Sequence, residues 1–448
     1  MSRFVFIARS SLAWGLFSTL ALATLSLGAN RPVAWVFMGL FVLIFAAGMA
    51  VLDLLERPPR ALGAIWLPAL LYLLALLWGA GQILPGIWPQ DWAHPFWNLV
   101  PEAAGHVSAD PGQGQHVLLR LACYGLIFWI AARGALSPQT AHRQLQAFAL
   151  FSSLLAAYGI YAHMSESNPL LGDWASDVVS ASFVNRNSYA TFAAFGLVTC
   201  LALLLRASNS WETQRRRALA GMIEGLFAGG WIWIAGIVLC GGAVMMTQSR
   251  GGAVATLIGL ITVLSTLRLR GVRAVFGPGL IFGAITVLVL ASASGGVVSR
   301  MLTTSDETGR FAVYPQVWEQ VMARPLLGHG LGAFEDVFRA SVPVEAAVGA
   351  WDKAHNSYLE NMLELGLPAA AVFYLALAFI GWRLLRGVMT RRRDRAPVVI
   401  GFACFLLAGF HAGFDFSLQI PALAGFFSWL TGIAYAHSFS STKMKDIS

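Results

Sequence analysis

The stretch VAWVFMGLFVLIFAAGMAVL, residues 33–52, decides the fold class, because it runs for 20 residues without a charge. An α-helix needs about 20 mostly apolar residues to cross the hydrocarbon core of a bilayer, where lipid offers the backbone amides no partner. We therefore predict a transmembrane helix here. Similar stretches recur along all 448 residues.

The composition agrees with repeated membrane crossing. Charged residues make up 12% of the chain and hydrophobic residues 57%, whereas soluble domains carry about 25% charge. Four cysteines in a chain of this length exclude a disulfide scaffold, and the apolar content excludes a disordered chain. A polytopic membrane protein is the class that remains.

Twelve stretches satisfy the length and apolarity of a membrane span. We expect an all-α, polytopic integral membrane protein with about 12 transmembrane helices and a long periplasmic loop that contains short helices. The predicted spans are 12–28, 33–52, 61–79, 116–134, 144–163, 187–206, 225–246, 251–267, 274–292, 366–386, 397–412 and 421–437.

The basic residues predict the orientation. If the N-terminus is cytoplasmic, 21 of the 30 Lys and Arg fall in cytoplasmic loops and nine on the opposite face, as the positive-inside rule requires. The long loops are then expected on the non-cytoplasmic face of the membrane. The runs Arg215–Arg217 and Arg391–Arg395 read as anchors near anionic lipid, so the net charge of +8 does not indicate nucleic-acid binding.

These spans and loops divide the chain into four parts. The third part is the longest outer loop, and loops of that length are usually functional. The parts are helices 1–5 with a Trp- and Pro-rich outer loop at 1–163, helices 6–9 with arginine-bearing outer turns at 164–292, a periplasmic catalytic loop at 293–365, and helices 10–12 at 366–448.

Two arginines on the outer face are candidates for anion binding. Arg186 lies where a loop meets span six, and Arg250 lies in the turn Ser249-Arg-Gly-Gly252 at the start of span eight. A guanidinium at the membrane boundary is costly unless it snorkels, pairs or meets an anion, and a helix N-terminus favours phosphate. The alternative is that both arginines are interface anchors paired with carboxylates such as Asp173 or Asp177.

His355 is the candidate base. His355, Leu359, Met362, Leu363 and Gly366 recur at helical spacing, which predicts that the histidine opens an amphipathic helix. Asn356 and Ser357 are both plausible caps. A positive helix end favours a neutral imidazole that accepts a proton. A structural, hydrogen-bonded histidine is the alternative, and the other eight histidines lack zinc-binding spacing, so no metal is expected.

Three further features lie on the same predicted face. Arg310 follows the polar stretch 304–309, which we interpret as flexible enough to let it reach a bound anion. Asp415 is positioned either to orient a base or an arginine, or to cap the last span. Gly328, Gly330 and Gly332 are interpreted as a bend in the outer loop, since no strand precedes them as a dinucleotide site would need.

Taken in order, Ser-Arg-Gly-Gly at 249–252, Gly-His-Gly-Leu-Gly-Ala-Phe at 328–334 and His-Asn-Ser-Tyr-Leu at 355–359 resemble the bacterial O-antigen ligase and polysaccharide polymerase superfamily. The resemblance is most specific over 182–421. The segment 411–421, His-x-x-x-Asp-Phe-x-Leu-x-x-Pro, resembles exopolysaccharide-associated members.

The resemblance implies periplasmic glycosyl transfer without metal or nucleotide cofactor. The donor would be a glycan on undecaprenyl pyrophosphate, and the acceptor the lipid A core or a second lipid-linked glycan. His355 would act as the general base or position the acceptor, with Asn356 and Asp415 in support. Arg186, Arg250 and Arg310 would hold the pyrophosphate.

Other readings stay open from the sequence. The ligase motifs favour O-antigen ligation, whereas the segment 411–421 favours a polymerase of O-antigen, capsular or exopolysaccharide units. A lipid-linked glycan transporter or flippase would carry inverted repeats and charges at mid-membrane, and neither is evident. A structural assembly scaffold is the remaining alternative.

Overall fold

A computed structural model describes residues 3–56, 65–100, 102–172, 177–211, 230–267, 305–341 and 351–439, and these ranges contain helices and no strand. The α-helices are α1 Arg3–Leu25, α2 Pro32–Leu55, α3 Trp66–Ile83, α4 Pro111–Gly134, α5 Pro138–Met164, α6 Arg186–Trp211, α7 Trp231–Met246, α8 Arg250–Thr266, α9 Ser305–Ala323, α10 Phe334–Ser341, α11 Ser357–Leu365, α12 Leu367–Thr390, α13 Ala396–His411 and α14 Pro421–Ala436.

The expected all-α, polytopic membrane architecture is confirmed. Among the described residues, seven helices, α1 to α6 and α12, are long and apolar enough to cross a membrane. Three shorter apolar helices, α7, α8 and α13, accompany them. The ninth expected span, 274–292, lies outside the described residues, so the number twelve stays a prediction.

Helix α6 is the centre of the bundle. Of its most apolar window, 94% is buried inside the protein, and it packs against α5, α7, α8 and α13. A helix that is apolar on all sides lies in the interior of a bundle. Arg186, the first residue of α6, is therefore fixed at the end of the most enclosed helix.

Small residues let these helices approach closely, as is typical of membrane helices. Gly196 of α6 faces Ser152, and Gly401 of α13 faces Ala434, with no room for a side chain at either glycine. The four cysteines are free and buried, as expected for small apolar core residues.

The described parts of the long outer loop form a small packed unit. Helices α9, α10 and α11 share their own apolar core, to which Val317, Phe334 and Leu363 contribute. Gly328, Gly330 and Gly332 form the turn between α9 and α10, with φ of 69°, 102° and 74°. L-residues with side chains rarely adopt these angles, which explains the three glycines.

Candidate active site

His355 immediately precedes the N-cap of α11. Asn356 is that cap, because its Oδ1 accepts hydrogen bonds from the backbone N–H groups of Tyr358 at 3.0 Å and Leu359 at 3.2 Å. The helix therefore begins at Ser357. Of the two expected caps Asn356 is the one used, and His355 lies just before the helix that the spacing predicted it to open. His355 adopts a left-handed backbone with φ of 50°, which turns its side chain away from the helix path.

The imidazole of His355 lies against a buried carboxylate. Its Nδ1 is 3.5 Å from Oδ1 of Asp415, at the outer limit of hydrogen-bond length, and its side chain is 17% exposed. The backbone carbonyl of His355 accepts a hydrogen bond from the Tyr314 hydroxyl at 3.1 Å. The rings of Trp351 and Phe416 pack edge-on against the imidazole. The ring is therefore fixed from several sides.

Asp415 is held by side chains from three segments. Asn187 of α6 donates to its Oδ1 at 3.2 Å, and Ser417 donates to its Oδ2. Burial works to raise the pKa of Asp415, but contacts from His355, His411 and Ser417 together hold that pKa below its usual value. The carboxylate is thus an anion at neutral pH.

Asp415 does not cap the last apolar helix. The N-cap of α14 is Ile420, which has no side-chain hydrogen bond to the helix. Of the two roles considered for Asp415, its contacts correspond to orienting a base. Gln419, four residues after Asp415, lines the same cavity as His355.

Arg186 and Arg250 are the first residues of two helices packed against each other, α6 and α8. Both side chains are half-buried. Ser249 caps α8 by accepting a hydrogen bond from the N–H of Gly252 at 3.1 Å, so Arg250 begins α8 directly after the three-residue turn 247–249 that follows α7. The positive ends of two helix dipoles therefore lie near these guanidinium groups.

The neighbours of the two arginines place them beside the histidine–carboxylate pair. Asn187, next to Arg186, donates to Asp415. Gly251, next to Arg250, packs against the imidazole of His411, which contacts the hydroxyl of Thr191 at 2.6 Å. The structure thus brings the backbones at Arg186 and Arg250 to the same end of the bundle as His355 and Asp415.

Arg310 differs from its prediction in local structure. The segment expected to be flexible belongs to α9, which begins at Ser305. The backbone of Arg310 is therefore helical, and its side chain lies outside the described part of the structure.

A polar cavity of about 350 Å³ opens beside His355. Its wall includes Asn185 next to Arg186, and it also includes Arg120 and Lys353. Arg120 and Lys353 are two of the nine basic residues that the sequence places on the non-cytoplasmic face, and no role was predicted for either. Two features of the sequence could have indicated that these cations belong to the site. Lys353 lies two residues before His355, and Arg120 lies near the predicted outer end of span four.

Lys353 is coupled to two buried acids of α11. Its Nζ lies 3.3 Å from Oε1 of Glu360, whose Oε2 accepts a hydrogen bond from the N–H of Ala354 at 3.0 Å. Burial works to lower the pKa of Lys353, but Glu360 and Glu364 outweigh it and raise that pKa. Burial, followed by the charge of Glu360, raises the pKa of Glu364 to about 8.

Within the described ranges, no group of three or more His, Cys, Asp or Glu side chains is arranged to hold a metal ion. The chemistry visible in these ranges is that of a histidine beside a carboxylate, surrounded by cations. Such a set fits proton transfer and anion binding.

The fold and this set of residues define a polytopic membrane protein with a candidate acid–base and anion-binding site at one end of its bundle. Residues 235–374 match the family model of O-antigen ligase. This segment contains the Ser-Arg-Gly-Gly turn, the glycine turn and the His355 segment. The resemblance to the O-antigen ligase superfamily is thereby confirmed for this part of the chain, and it supports a glycosyltransferase-type enzyme. No curated protein matches the chain.

Proposed function

We propose that the protein transfers a glycan from undecaprenyl pyrophosphate to an acceptor sugar hydroxyl at the periplasmic face of the bacterial inner membrane, ligating O-antigen to the lipid A core. The observation that carries this proposal is the contact between His355 and Asp415 at the wall of a polar cavity. His355 belongs to the segment that matches O-antigen ligase.

In the proposed mechanism His355 is the general base. The anionic Asp415 favours the tautomer that carries its proton on Nδ1, which leaves the lone pair of Nε2 to accept the acceptor's hydroxyl proton. The acceptor oxygen forms a bond to the anomeric carbon as the bond from that carbon to the pyrophosphate oxygen breaks. The pyrophosphate leaves with the electron pair, and the anomeric configuration is inverted.

The leaving group requires positive charge. Negative charge grows on the pyrophosphate as the glycosidic bond breaks, and positioned guanidinium groups stabilise that charge. We assign this role to Arg186 and Arg250, and secondarily to Arg310. Asn356, which caps α11, supports the backbone at His355.

A polymerase is the second candidate, and one observation favours it. Asp415, which contacts His355, comes from the segment 411–421 that resembles exopolysaccharide-associated members. In that case the acceptor is a second lipid-linked glycan, and the roles of His355 and the arginines are the same.

Purified protein in lipid nanodiscs tests the proposal with an undecaprenyl-pyrophosphate glycan as donor. Lipid A core and a second portion of lipid-linked glycan are supplied as acceptors in separate reactions. Product on lipid A core supports ligation, and longer lipid-linked chains support polymerisation. Absence of transfer to either acceptor contradicts the enzyme proposal. In the same assay Arg250→Ala should lower transfer. Arg339→Ala is its matched control and should leave transfer unchanged, since Arg339 pairs with Glu335 on the exposed surface of α10.

The orientation is tested separately by cysteine labelling in cells. Asp352 is exposed beside the cavity, and the four native cysteines are buried. An Asp352→Cys variant should react with a membrane-impermeant maleimide added from the periplasmic side. Labelling that requires lysis of the inner membrane contradicts a periplasmic site.

A further inference from the structure

His411 is a buried histidine that lies between the candidate base and the Arg250 turn. It is the last residue of α13 and its side chain is 1% exposed. Helix α13 packs against both α6 and α8, the helices that begin with Arg186 and Arg250. The proposed mechanism assigns no role to this imidazole, although it contacts the surroundings of Asp415 on one side and the start of α8 on the other.

One side of the imidazole contacts the hydroxyls around Asp415. Nδ1 of His411 lies 2.6 Å from Oγ1 of Thr191 and 3.4 Å from Oγ of Ser417. The Ser417 hydroxyl donates to Oδ2 of Asp415. The Thr191 hydroxyl donates to the backbone carbonyl of Asn187 at 3.2 Å, and the Asn187 side chain donates to Oδ1 of Asp415. Both carboxylate oxygens of Asp415 are therefore linked to Nδ1 of His411 by short chains of hydrogen bonds.

The other side of the imidazole packs against the start of α8. A Cβ atom added at Gly251 would lie 3.0 Å from both Cδ2 and Nε2 of His411, which is tighter than ordinary van der Waals contact. Gly251 directly follows Arg250, and both belong to the first turn of α8. Because packed groups transmit small displacements to their neighbours, the ring of His411 limits where the backbone of Arg250 lies.

The turn from His411 to Asp415 also holds the segment of the base. The backbone N–H of Ser357 donates to the carbonyl of Ala412 at 2.8 Å, and its hydroxyl donates to the backbone carbonyl of Asp415 at 3.1 Å. Ser357 is the first residue of α11 and lies two residues after His355. A displacement of this turn would therefore move the base together with its carboxylate.

We propose that His411 is a positioning residue that holds the Arg250 turn and the His355–Asp415 pair at a fixed separation. Its Nδ1 fixes the surroundings of Asp415, and its ring fixes α8 at Gly251. A transfer reaction needs the base and the leaving-group site in one geometry, since a misplacement of about 1 Å can cost about 10²-fold in rate. The inference rests on the proposed function for the roles of His355 and Arg250.

Two substitutions at His411 separate its two contacts. His411→Asn keeps a polar amide atom at the position of Nδ1, but it removes the ring that packs against Gly251. His411→Phe keeps a ring and removes the hydrogen bonds of Nδ1 to Thr191 and Ser417. Both hydroxyls retain their other acceptors. Each variant should therefore impair one function of the site and retain the other, which shows that it is folded.

Binding of undecaprenyl pyrophosphate to the full-length protein in nanodiscs tests the contact with the Arg250 turn without any turnover. His411→Asn should weaken binding at least about threefold, whereas His411→Phe should change it less than about twofold. In an Arg250→Ala background, His411→Asn should have little further effect, because residues that act through one another are not additive. Equal effects of the two His411 variants on binding, or additive effects of His411→Asn and Arg250→Ala, would overturn the proposal.

The glycan transfer assay tests the contact with Asp415. At saturating donor, His411→Phe should lower kcat by about tenfold or more, and His411→Asn should lower it by less than about twofold. Thr191→Val, which removes the hydroxyl that contacts Nδ1, should also lower kcat and should add little to His411→Phe. A kcat that falls equally in the two His411 variants, as a general loss of packing would cause, contradicts the proposal.

His437→Phe is the matched control for the loss of a buried histidine. His437 is also buried and lies just after α14, so its substitution should change neither kcat nor the binding of undecaprenyl pyrophosphate. Similar losses in His437→Phe and His411→Phe would overturn the proposal. Absence of transfer by the unchanged protein contradicts the proposed function, whereas the binding measurement decides separately whether His411 is coupled to Arg250.

Discussion

The two ends of the helix bundle use arginine differently. At one end, called the basic end, Arg9 and Arg133 both bind Asp53, and Arg391 donates to the backbone carbonyls of His437 at 2.6 Å and Phe439 at 2.9 Å. At the other, called the cavity end, Arg120 and Lys353 line two cavities beside His355.

The difference separates two uses of positive charge in one membrane protein. At the basic end these guanidinium groups make fixed internal contacts. Arg9 and Arg133 join α1, α2 and α4 at Asp53, and Arg391 joins the end of α12 to the end of α14. The cavity end presents its cations to enclosed space next to a histidine and a carboxylate. The first arrangement stabilises the fold, and the second is suited to binding an anion.

The largest expected effect is a loss of activity on substitution at the cavity end. His355→Ala should lower kcat for glycosyl transfer by about 10²- to 10⁴-fold, the range typical of a lost general base. Melting temperature and elution volume should stay close to those of the unchanged protein, because His355 is not part of the buried core. Retention of more than a tenth of the activity would remove His355 from the role of base.

A substitution at the basic end should lower the free energy of unfolding and leave the activity unchanged. Asp53→Ala leaves Arg9 and Arg133 without their shared carboxylate, and breaking such a buried pair costs about 3–5 kcal/mol. Denaturant unfolding in detergent measures this, and activity per folded molecule should not change. Asp394→Ala is the matched control, since its pair with Arg206 is exposed and worth about 0–1 kcal/mol. Equal losses in the two variants would contradict the distinction between buried and exposed pairs.

A smaller effect should follow at the glycine turn of the cavity end. Gly330→Ala combines a φ of 102° with a clash against the backbone of Ser108, and we expect a loss of about 1–3 kcal/mol. Gly86→Ala is the control, because Gly86 has a φ of 67° and open space around it. Thermal unfolding should show a clearly smaller shift for Gly86→Ala.

The last prediction concerns acid and the segment between α3 and α4, which contacts the glycine turn through His94 and Ala109. His94 Nε2 and His329 Nδ1 lie 2.9 Å apart, and both rings are buried. Burial lowers the pKa of His94 to about 3 and of His329 to about 4. Because both folded values lie below the unfolded value of about 6.5, the stability from these neutral rings is full above pH 6.5 and is lost as pH falls towards 4.

Hydrogen exchange between pH 7 and pH 5, corrected for intrinsic rates, measures this loss. Backbone amides of residues 93–109 should lose protection as the pH falls, because the N–H of Ala109 donates to the carbonyl of His329. A His94→Phe variant should lose most of that pH dependence. Protection that is unchanged down to pH 5 would show that the pair does not hold the loop.

Local patterns in the sequence predicted the helices well. The uncharged run at 33–52 lies within α2, and the stretch at 187–206 lies within α6, because apolar length alone specifies a membrane helix. The periodicity alone included His355 in α11, whereas the cap residue Asn356 gave the start at Ser357 correctly. Helix ends depend on such single hydrogen bonds, which periodicity does not encode.

The site was predictable only where its residues are sequence neighbours or form a motif. His355 and Asn356 were found together, and the contact between Asp415 and His355 was one of two roles considered for Asp415. Arg120 was not found, because its relation to Lys353 arises from the packing of α4 beside the outer segments. Contacts of that kind depend on tertiary structure, and the spacing of residues along the chain does not predict them.

The left-handed backbone conformation of His355 lowers the stability of the folded protein at a residue proposed to be needed for activity. A side chain other than glycine costs about 1–2 kcal/mol in such a backbone conformation. His355→Gly would relieve this strain, but it would also remove the proposed base and its contacts with Asp415, Trp351 and Phe416. The hydroxyl of Tyr314 holds this backbone by donating to the carbonyl of His355. Selection for a reaction would retain a histidine in such a strained position.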